Sequence, residues 1–587
     1  MNIGLAMLAS VAGLALAYLF YGRRIAKILG VNKNNATPAV RNQDGVDFVP
    51  TRPAVLLGHH FASIAAAGPI VGPTLALLYG FLPTWLWILI GVTFIGAVHD
   101  FSALFVSVRE EGRSIAEIAK KTLGKTGFLF FILFAILLCI LVCAAFLQLT
   151  AVSLTSLYPL KEFGLPEDQS ILKTVVEGGV LKGVIGGIAS TSVIVMTVVA
   201  PVIGYLLYKK NANLIAISLL AFFVCIVSVY IGFVWPVTLD TKIWMAIICA
   251  YCFIAGWIPV WIVLQPRDFT NVQLLYFGII VMVVGIVACG FAGVVIDAPA
   301  FNFSTESLTA MGNVWPFLFV TIACGSVSGA HALIATGTTS KQLGNEKHAP
   351  MIGYGGMLLE ALLGICVTLI ILGGLGYAEY HDIVWPHDEL GHIKSGNAPL
   401  AFAVGVGHTL QKGLHIPSVY GTVFGILLLE GFLVTTIDTI VRLTRYLFEE
   451  LWLTLFTTPP AIMRNKFFNT IIPVAGMAAL GFTNAYTSIW PIFGSANQLL
   501  AALTLTAISA WLIQKSKPYW FAAIPALFMC ATTLTSLVIL VNRYIEKNNW
   551  ALTITDSILI ILTVGVLVMT FRYFYNLRKE MAGKAES

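Results

Sequence analysis

The sequence predicts an all-α polytopic membrane protein with about 15 transmembrane helices plus one possible re-entrant segment. Its 587 residues are 58% hydrophobic and only 11% charged, whereas soluble domains carry about 25% charged residues. Apolar runs of the roughly 20 residues needed to cross a bilayer recur from end to end. No polar stretch between them is long enough for a separate soluble domain, so lipid is the solvent for most of the chain.

The first apolar run, residues 2–22, precedes its basic residues Arg23, Arg24 and Lys27. A cleavable signal has the opposite order, so this run is predicted to be a retained first span. A weaker run at 398–411 is too short to cross and is interpreted as a possible re-entrant segment. The other spans are predicted at about 54–80, 83–107, 127–152, 184–208, 213–234, 243–264, 271–294, 315–339, 351–376, 417–441, 467–483, 488–513, 519–541 and 553–574.

The distribution of lysine and arginine predicts the orientation of these spans. When the spans alternate from an external N-terminus, the inner loops hold 26 of the 34 Lys and Arg residues and the outer loops hold 8. Cytoplasmic loops are enriched in these residues. We therefore predict a multi-pass protein of the inner (plasma) membrane with its N-terminus outside and its C-terminus cytoplasmic. Treating 398–411 as a full span would place Arg442 and Arg445 outside, which the same rule disfavours.

Three clusters of Gly, Pro and small polar residues interrupt predicted spans. They are 58–73, with the paired histidines and two prolines, Gly256-Trp257-Ile258-Pro259 near the middle of 243–264, and 325–340, which begins Gly-Ser-Val-Ser-Gly. Broken helices offer half-helix N-termini to anions and free carbonyls to cations, as in secondary-transporter sites. The alternative is that small residues only allow close helix packing, but for the cluster with paired histidines we favour a site. The candidate substrate-binding residues are His59, His60, Gly68, Pro69, Gly72, Gly256, Trp257, Ser326, Ser328 and His331.

Ionisable side chains at membrane depth are costly, so each one is a functional hypothesis. Glu360 and Glu430 lie near the middle of their spans, where burial disfavours the charged form, and either is a candidate for carrying a coupled proton. The alternative is a structural acid that is hydrogen-bonded between helices. Asp100, Thr338 and Thr339 complete the candidate set for ion or proton coupling.

Other charged residues near the predicted inner ends of spans have less specific signals. His99 and Asp100 are adjacent on a helix and point about 100° apart, so they are not expected to pair with each other. Asp438 and Arg442 are spaced i, i+4 on one helix face and are interpreted as a gate or a structural pair. Arg267 is placed in a short inner loop, as part of a gate or of a turn.

No cofactor and no metal site are predicted. The external loop 379–392 is rich in His and acidic residues but lacks regular metal-ligand spacing, so a solvated loop is favoured over a divalent-cation site. Gly124-Lys125-Thr126 resembles the end of a Walker A motif, yet the glycine required five residues earlier is Ala119. We therefore expect neither an enzyme nor an ATP-driven pump. The expected partners are a small-molecule substrate and the lipid bilayer, with no nucleic acid, and the oligomeric state stays open.

Nine motifs lie in one order over about 460 residues. They are TPAVR from Thr37, DGVDFVPT from Asp44, GHHFASIAAAGPIVGP from Gly58, GAVHDF from Gly96, WIVLQPRDF from Trp261, TIACGSVSGAHALIATGTTSKQL from Thr321, IGYGGMLLE from Ile352, DTIVRLTRY from Asp438 and WPIFGSANQLLA from Trp490. In these motifs the sequence resembles the carbon starvation protein A (CstA) family. One departure is that only about 40 residues separate the spans between which longer family members carry a sizeable external region.

The resemblance implies uptake of small carbon sources in the carbon starvation response, with peptides, or pyruvate by proton symport, as the substrates. It also implies an inverted-repeat core similar to amino acid–polyamine–organocation transporters. In that core, span 54–80 and the Gly-Trp-Ile-Pro span would be the two discontinuous helices, and the segment from Ser326 to Ser340 would lie beside the first. The chain then divides into an N-terminal span and cytoplasmic segment (1–53), a CstA-type transporter core (54–400) and C-terminal transmembrane helices that complete the transporter (401–587).

Together these observations favour a secondary active transporter that imports pyruvate or a related monocarboxylate by proton symport. Glu360 or Glu430 would carry the proton, and sodium coupling stays open. A di- or tripeptide importer is the alternative. A membrane nutrient sensor with a separate signalling partner is the alternative from a different class of protein.

Overall fold

The computed structural model describes residues 1–44, 48–210, 213–259, 262–387, 393 and 396–586. Within these residues the chain forms helices and one small antiparallel sheet of strand order β1-β3-β2. The strands are β1 (Leu157–Pro159), β2 (Thr174–Glu177) and β3 (Val180–Val184). The helices up to the middle of the chain are α1 (Ile3–Leu16), α2 (Arg23–Leu29), α3 (Pro38–Arg41), α4 (Pro53–Ile64), α5 (Gly68–Ala76), α6 (Phe81–Gly91), α7 (Ala97–Arg109), α8 (Ile115–Leu154), α9 (Ile185–Tyr208), α10 (Leu214–Val234), α11 (Thr241–Trp257) and α12 (Leu264–Phe291).

Short π-helical turns join α1 to α2 and α6 to α7, and another immediately precedes α17. The second half of the chain continues this helical pattern. Its helices are α13 (Thr305–Met311), α14 (Val314–Thr321), α15 (Ala323–Ser326), α16 (Ala330–Gly337), α17 (Gly355–Ile370), α18 (Tyr377–Val384), α19 (Ala398–Leu414), α20 (Ser418–Leu455), α21 (Lys466–Thr483), α22 (Tyr486–Gln514), α23 (Trp520–Glu546) and α24 (Trp550–Glu586).

Among the described residues, eleven helices are long and apolar enough to cross a bilayer. The bent pair Pro53–Ile64 and Gly68–Tyr79 makes a twelfth when it is taken as one span. The predicted count of 15 is therefore not confirmed, although the chain is a multi-pass helical membrane protein. The other predicted spans are shorter or interrupted: α11 has 17 residues, 315–339 is divided among α14, α15 and α16, and 467–483 is the 18-residue α21.

The Gly-Trp-Ile-Pro cluster ends a helix instead of interrupting one, which corrects the prediction for 243–264. α11 ends at Trp257, and Ile258 has extended backbone angles of φ −72° and ψ 160°. Pro259 explains this end, because a proline disfavours helical angles in the residue before it. The described chain resumes at 262, and α12 begins at Leu264.

The second interrupted span lies in the Ser/Thr-rich segment instead. α14, α15 and α16 are short pieces separated at Ile322 and at 327–329, where Val327 is extended at φ −153° and ψ 117°. The first interrupted span is α4 and α5, which are bent by 48° across 65–67. The breaks predicted from the first and third clusters are therefore confirmed. The family analogy misplaced the second discontinuous helix, and no inverted repeat is confirmed.

The basic segments predicted to be cytoplasmic gather at one end of the bundle. Arg109, at the end of α7, forms an ion pair of 2.8 Å with Glu346 and donates to the Gly30 carbonyl at 2.9 Å, and Lys517 donates to the neighbouring Leu29 carbonyl. Four chain segments that are far apart in sequence therefore share this end, which we call the basic end.

Both ends of α19 lie away from the basic end. Asn397, which precedes α19, donates to Ser156 just beyond α8 at 2.9 Å. Lys412, in its last turn, donates to the Gly374 carbonyl just beyond α17 at 2.7 Å. Because α8 and α17 both begin near the basic end, α19 enters and leaves at the opposite end of the bundle.

Candidate functional site

The two interrupted spans touch backbone to backbone inside the bundle. A Cβ on Gly68, the first residue of α5, would lie 2.3 Å from the Cβ of Cys324 in α15. A Cβ on Gly72 would lie 2.7 Å from the carbonyl oxygen of Thr321 at the end of α14. A Cβ on Gly96, in the continuous span Phe81–Arg109 beside them, would lie 2.0 Å from the carbonyl oxygen of Ser326. Real Cβ atoms do not approach other atoms so closely, so these contacts require glycine at all three positions. Gly72 and Pro69 lie on the same buried face of α5.

Asn497 of α22 stabilises the second break. Its side-chain oxygen accepts the Ala330 amide at 3.0 Å, and its carbonyl accepts the Gly329 amide at 3.0 Å. Its amide nitrogen donates to Ser328 Oγ at 3.0 Å. The start of α16 is therefore capped by protein, and these amides are not free for a substrate. Ser326, the other predicted serine, donates to the Ile322 carbonyl of its own segment.

A row of four buried ionisable side chains crosses the site. His331 Nδ1 lies 2.8 Å from Asp100 Oδ2, and His331 Nε2 lies 3.3 Å from Glu360 Oε2. On the other side, His99 Nδ1 lies 2.7 Å from Asp100 Oδ1. All four are at most 2% exposed. We call these residues the His–Asp–His–Glu row.

The contact between His99 and Asp100 corrects the prediction that these neighbours do not pair. The argument from a 100° separation considers only where the side chains leave the helix. The imidazole is long enough to turn toward the next residue, and both side chains are fully buried, so a hydrogen bond between them satisfies each. Asp100 thereby accepts from two histidines, one on each carboxylate oxygen.

His60 is buried beside this row, while its neighbour His59 is exposed. His60 Nδ1 lies 2.9 Å from Thr339 Oγ1, so the predicted residues His60 and Thr339 do meet. Thr338 is exposed, and its hydroxyl donates to the Ile334 carbonyl of its own helix. The paired histidines therefore have different surroundings, because successive positions of α4 face different directions.

Several polar atoms around the row have no hydrogen-bond partner within the described residues. They are His60 Nε2, His99 Nε2 and both carboxylate oxygens of Glu360. Buried polar groups are normally paired, and each exception calls for an explanation such as a proton, a water molecule or a ligand. Side chains from four separate sequence motifs therefore meet here, and their unpaired polar atoms could bind a proton, a water molecule or a substrate.

Glu430 is not part of the row. It is fully buried in α20, its carboxylate oxygens have no hydrogen-bond partner within the described chain, and the nearby hydroxyl is Ser153 of α8. Glu360 and Glu430 were interchangeable candidates in the sequence. The structure separates them, because only Glu360 contacts a histidine.

A second buried charged cluster joins α11, α12 and α20. Arg267 Nη1 lies 3.3 Å from Asp438 Oδ2, and the Tyr251 hydroxyl donates to the same oxygen at 2.6 Å. Arg267 also donates to the Tyr251 hydroxyl at 2.7 Å. Arg267 is 1% exposed and lies in the first turn of α12, not in a loop as predicted.

The Asp438–Arg442 pair suggested by i, i+4 spacing does not form. The Arg442 guanidinium donates instead to the carbonyls of Ala255 and Ile258 at the end of α11. The guanidinium supplies the donor that these carbonyls lack, since the last carbonyls of a helix have no intrahelical N–H partner. Gly256 lies at this contact and is buried, whereas Trp257 is 53% exposed. Neither residue reaches the His–Asp–His–Glu row, so this cluster is a separate one.

Two residues that hold these clusters together, Asn497 and Tyr251, were not predicted from the sequence. Asn497 lies in the motif WPIFGSANQLLA, where a Ser-Ala-Asn-Gln run interrupts an apolar span. Polar residues at that depth are costly, so each one indicates a structural or functional role. Tyr251 lies in an ordinary apolar run and gives no such signal. Its role depends on α12 and α20, which only the fold brings to it.

An interrupted pair of spans with buried titratable groups at the crossing is the construction of a membrane transporter site. The chain is accordingly a multi-pass membrane transporter. The family model of carbon starvation protein CstA matches residues 2–396 and 387–536, and the chain belongs to the CstA family. This confirms the resemblance seen in the motifs.

Curated relatives carry two kinds of name. The peptide transporter CstA of Campylobacter jejuni is 33% identical over 604 residues, covering 93% of this chain and 81% of that protein. The peptide transporter CstA of Escherichia coli is 31% identical over 597 residues, covering 90% and 80%. The pyruvate/proton symporter BtsT of Escherichia coli is 32% identical over 618 residues, also covering 90% and 80%.

Among solved structures, a manganese transporter of Eremococcus coleocola is similar with a TM-score of 0.45 and 11% identity. That comparison covers 94% of this chain and 99% of the other. A similarity of this size carries no assignment of substrate or of mechanism.

Proposed function

We propose that this protein imports pyruvate or a related small monocarboxylate by proton symport, with Glu360 as the proton carrier. The observation that supports this most directly is the His331 imidazole held between two carboxylates at the crossing of two interrupted spans. The name of the relative BtsT, a pyruvate/proton symporter, supports the substrate and the ion.

The charge of the row explains why it would take up a proton. A protonated His331 between ionised Asp100 and Glu360 carries one positive and two negative charges. In a buried setting the surplus negative charge is costly, and adding one proton removes it. Asp100 accepts from His99 and His331, whereas neither Glu360 oxygen accepts a hydrogen bond within the described residues. Glu360 is therefore the group on which the extra proton would reside.

Glu360 is also well placed for exchange with both sides of the membrane. It lies fully buried near the middle of the span Glu346–Leu375, with roughly 21 Å of helix toward either end at 1.5 Å per residue. A proton carrier in an alternating-access transporter needs such a position, because each side must reach it in turn.

The substrate carboxylate would bind at the start of α5. The backbone amides of Ala67 and Gly68 donate to no acceptor in the described part of the chain, and both residues are buried. Helix N-termini attract anions through such amides and through the helix dipole. The equivalent position on α16 is occupied by Asn497, which leaves the α5 terminus as the anion site. His60 and Pro69 would line it.

Peptide import is the second candidate, and the names of the curated CstA relatives favour it. A zwitterionic peptide needs an acceptor for its ammonium group as well as a site for its carboxylate. Glu360 offers such an acceptor, so the row would serve the substrate instead of the proton.

We further propose an inner-membrane location with the basic end in the cytoplasm. The grouping of Arg109, Glu346, Lys517 and the Leu29 carbonyl at one end supports this orientation, because basic residues are retained on the cytoplasmic side.

The substrate proposal is tested by uptake of labelled pyruvate into proteoliposomes with an imposed inward proton gradient. Di- and tripeptides serve as competitors, and a proton ionophore serves as the control for the gradient. Gradient-dependent accumulation that peptides do not inhibit supports the monocarboxylate. Failure of pyruvate to accumulate, with accumulation of a labelled dipeptide, would replace it by peptide import.

A further inference from the structure

A cluster outside the proposed transport site joins the segment before α14 to the segment after α17. Glu306 lies in the first turn of α13, His381 lies in α18, and His387 follows α18. His387 Nε2 is 2.9 Å and His381 Nε2 is 3.3 Å from the same oxygen, Glu306 Oε1. Two imidazole nitrogens from one segment thus converge on one carboxylate oxygen from another.

The spacing of these three atoms is close to that of ligands around a tetrahedral metal ion. Zn²⁺ binds nitrogen and oxygen ligands at about 2.0–2.2 Å, which places neighbouring ligand atoms roughly 3.3 Å apart. The two His–Glu distances are 2.9 and 3.3 Å, and all three ligand atoms lie within 4.8 Å of one another. Small side-chain rotations would suffice to enclose the ion.

The cluster is held in place by the fold and is open to water. The two imidazole rings stack with centroids 5.4 Å apart and an interplanar angle of 21°. α18 is anchored on α5, because the Tyr380 hydroxyl donates to the Thr74 carbonyl at 2.8 Å. The side chains of His381, His387 and Glu306 are 18%, 41% and 46% exposed, so an ion can enter without unfolding.

We infer that Glu306, His381 and His387 form a binding site for a divalent transition-metal ion of the Zn²⁺ type. Two imidazoles and one carboxylate suit zinc and its neighbours, whereas Mg²⁺ and Ca²⁺ prefer oxygen ligands. Three protein ligands leave a fourth position for water. The expectation of a merely solvated loop is thereby revised for His381 and His387, while residues 388–392 of that loop lie outside the described residues.

The pattern was missed because one of its ligands is distant in sequence. Glu306 is separated from His381 by the interrupted span and by α17, so local spacing carries no sign of it. A bound ion would tie α13 to α18 at the end of the bundle opposite the basic end. Since a ligand that binds only the folded state stabilises it, zinc is expected to raise the melting temperature of the protein.

The test is zinc binding by the purified full-length protein in detergent, measured by competition with a chromogenic chelator and by thermal unfolding. The wild type should bind one Zn²⁺ per chain and melt at a higher temperature with Zn²⁺ but not with Mg²⁺. His381→Gln and His387→Gln should each weaken binding at least tenfold, and the double variant should lose both effects. His415→Asn is the matched control, because it removes an exposed imidazole outside the cluster. Asparagine can adopt the positive φ of 57° at this position, so the backbone is not strained.

Two results would overturn the inference. One is a wild type that binds no zinc and shows no thermal shift. The other is a double variant that binds zinc with wild-type affinity, which would place the ion elsewhere on the chain.

Discussion

Substitution of Gly96 by alanine tests the contact between the continuous span Phe81–Arg109 and the second interrupted span. The new Cβ would lie 2.0 Å from the Ser326 carbonyl oxygen, about 1.4 Å short of the 3.4 Å at which ordinary contact begins. Backbone lies on both sides of this contact, so no side chain can rotate away. Overpacking of a close-packed core costs roughly 1–3 kcal/mol, occasionally more, and we expect the upper part of that range for Gly96→Ala.

The assay is thermal unfolding of the purified variant in detergent, followed by fluorescence-detected size exclusion. Gly13→Ala is the matched control, because a Cβ on Gly13 meets no atom within 4 Å and the residue lies exposed in α1. Alanine favours helix over glycine by about 1 kcal/mol, so this control should be as stable as the wild type or more so. A Gly96→Ala protein with wild-type melting temperature and uptake would refute the backbone contact.

Two further predictions concern stability. Asp438→Asn should destabilise the protein by about 3–5 kcal/mol, because it leaves Arg267 buried without the carboxylate of its ion pair. Tyr251→Phe removes two hydrogen bonds, to Asp438 and from Arg267, but keeps that ion pair, so it should cost less; melting temperatures in the reverse order would contradict the assignment. Asn497→Ala should cost about 0.5–2 kcal/mol by uncapping α16 at Ala330. Ser328→Ala removes only the acceptor of the Asn497 amide nitrogen and leaves that cap in place, so it should retain more of the melting temperature; equal losses in both variants would show that the cap is not the cause.

The sequence was sufficient for the class of fold and for the positions at which both interrupted spans break. Proline and glycine act locally, so the run from Gly58 to Pro73 predicts a break without knowledge of the neighbours. Each member of the row was singled out for a different reason: Glu360 for its depth in a span, His331 for its place beside a Gly- and Ser-rich break, and His99 and Asp100 as adjacent ionisable residues near the inner end of a span. Their pairing was not predictable, because Asp100 and His331 are 231 residues apart and no local pattern relates them.

The errors have the same origin. Arg267 follows Gln265 and Pro266, a polar run typical of a loop, yet proline is tolerated in a first helical turn and the arginine finds Asp438 on another helix. Arg442 was assigned to Asp438 by helical spacing alone, whereas the unpaired carbonyls at the end of α11 compete for it. Local periodicity indicates which residues share a face, but tertiary contacts decide which of them pair.

The most direct test of the central claim compares Glu360→Gln with Glu430→Gln in proteoliposomes under a proton gradient of one pH unit. One coupled proton supplies about 1.4 kcal/mol per pH unit, so the wild type should accumulate labelled pyruvate up to about tenfold. Glu360→Gln should lose this accumulation yet retain exchange of internal for external pyruvate, and Glu430→Gln should accumulate like the wild type. Full gradient-driven accumulation by Glu360→Gln would contradict the account.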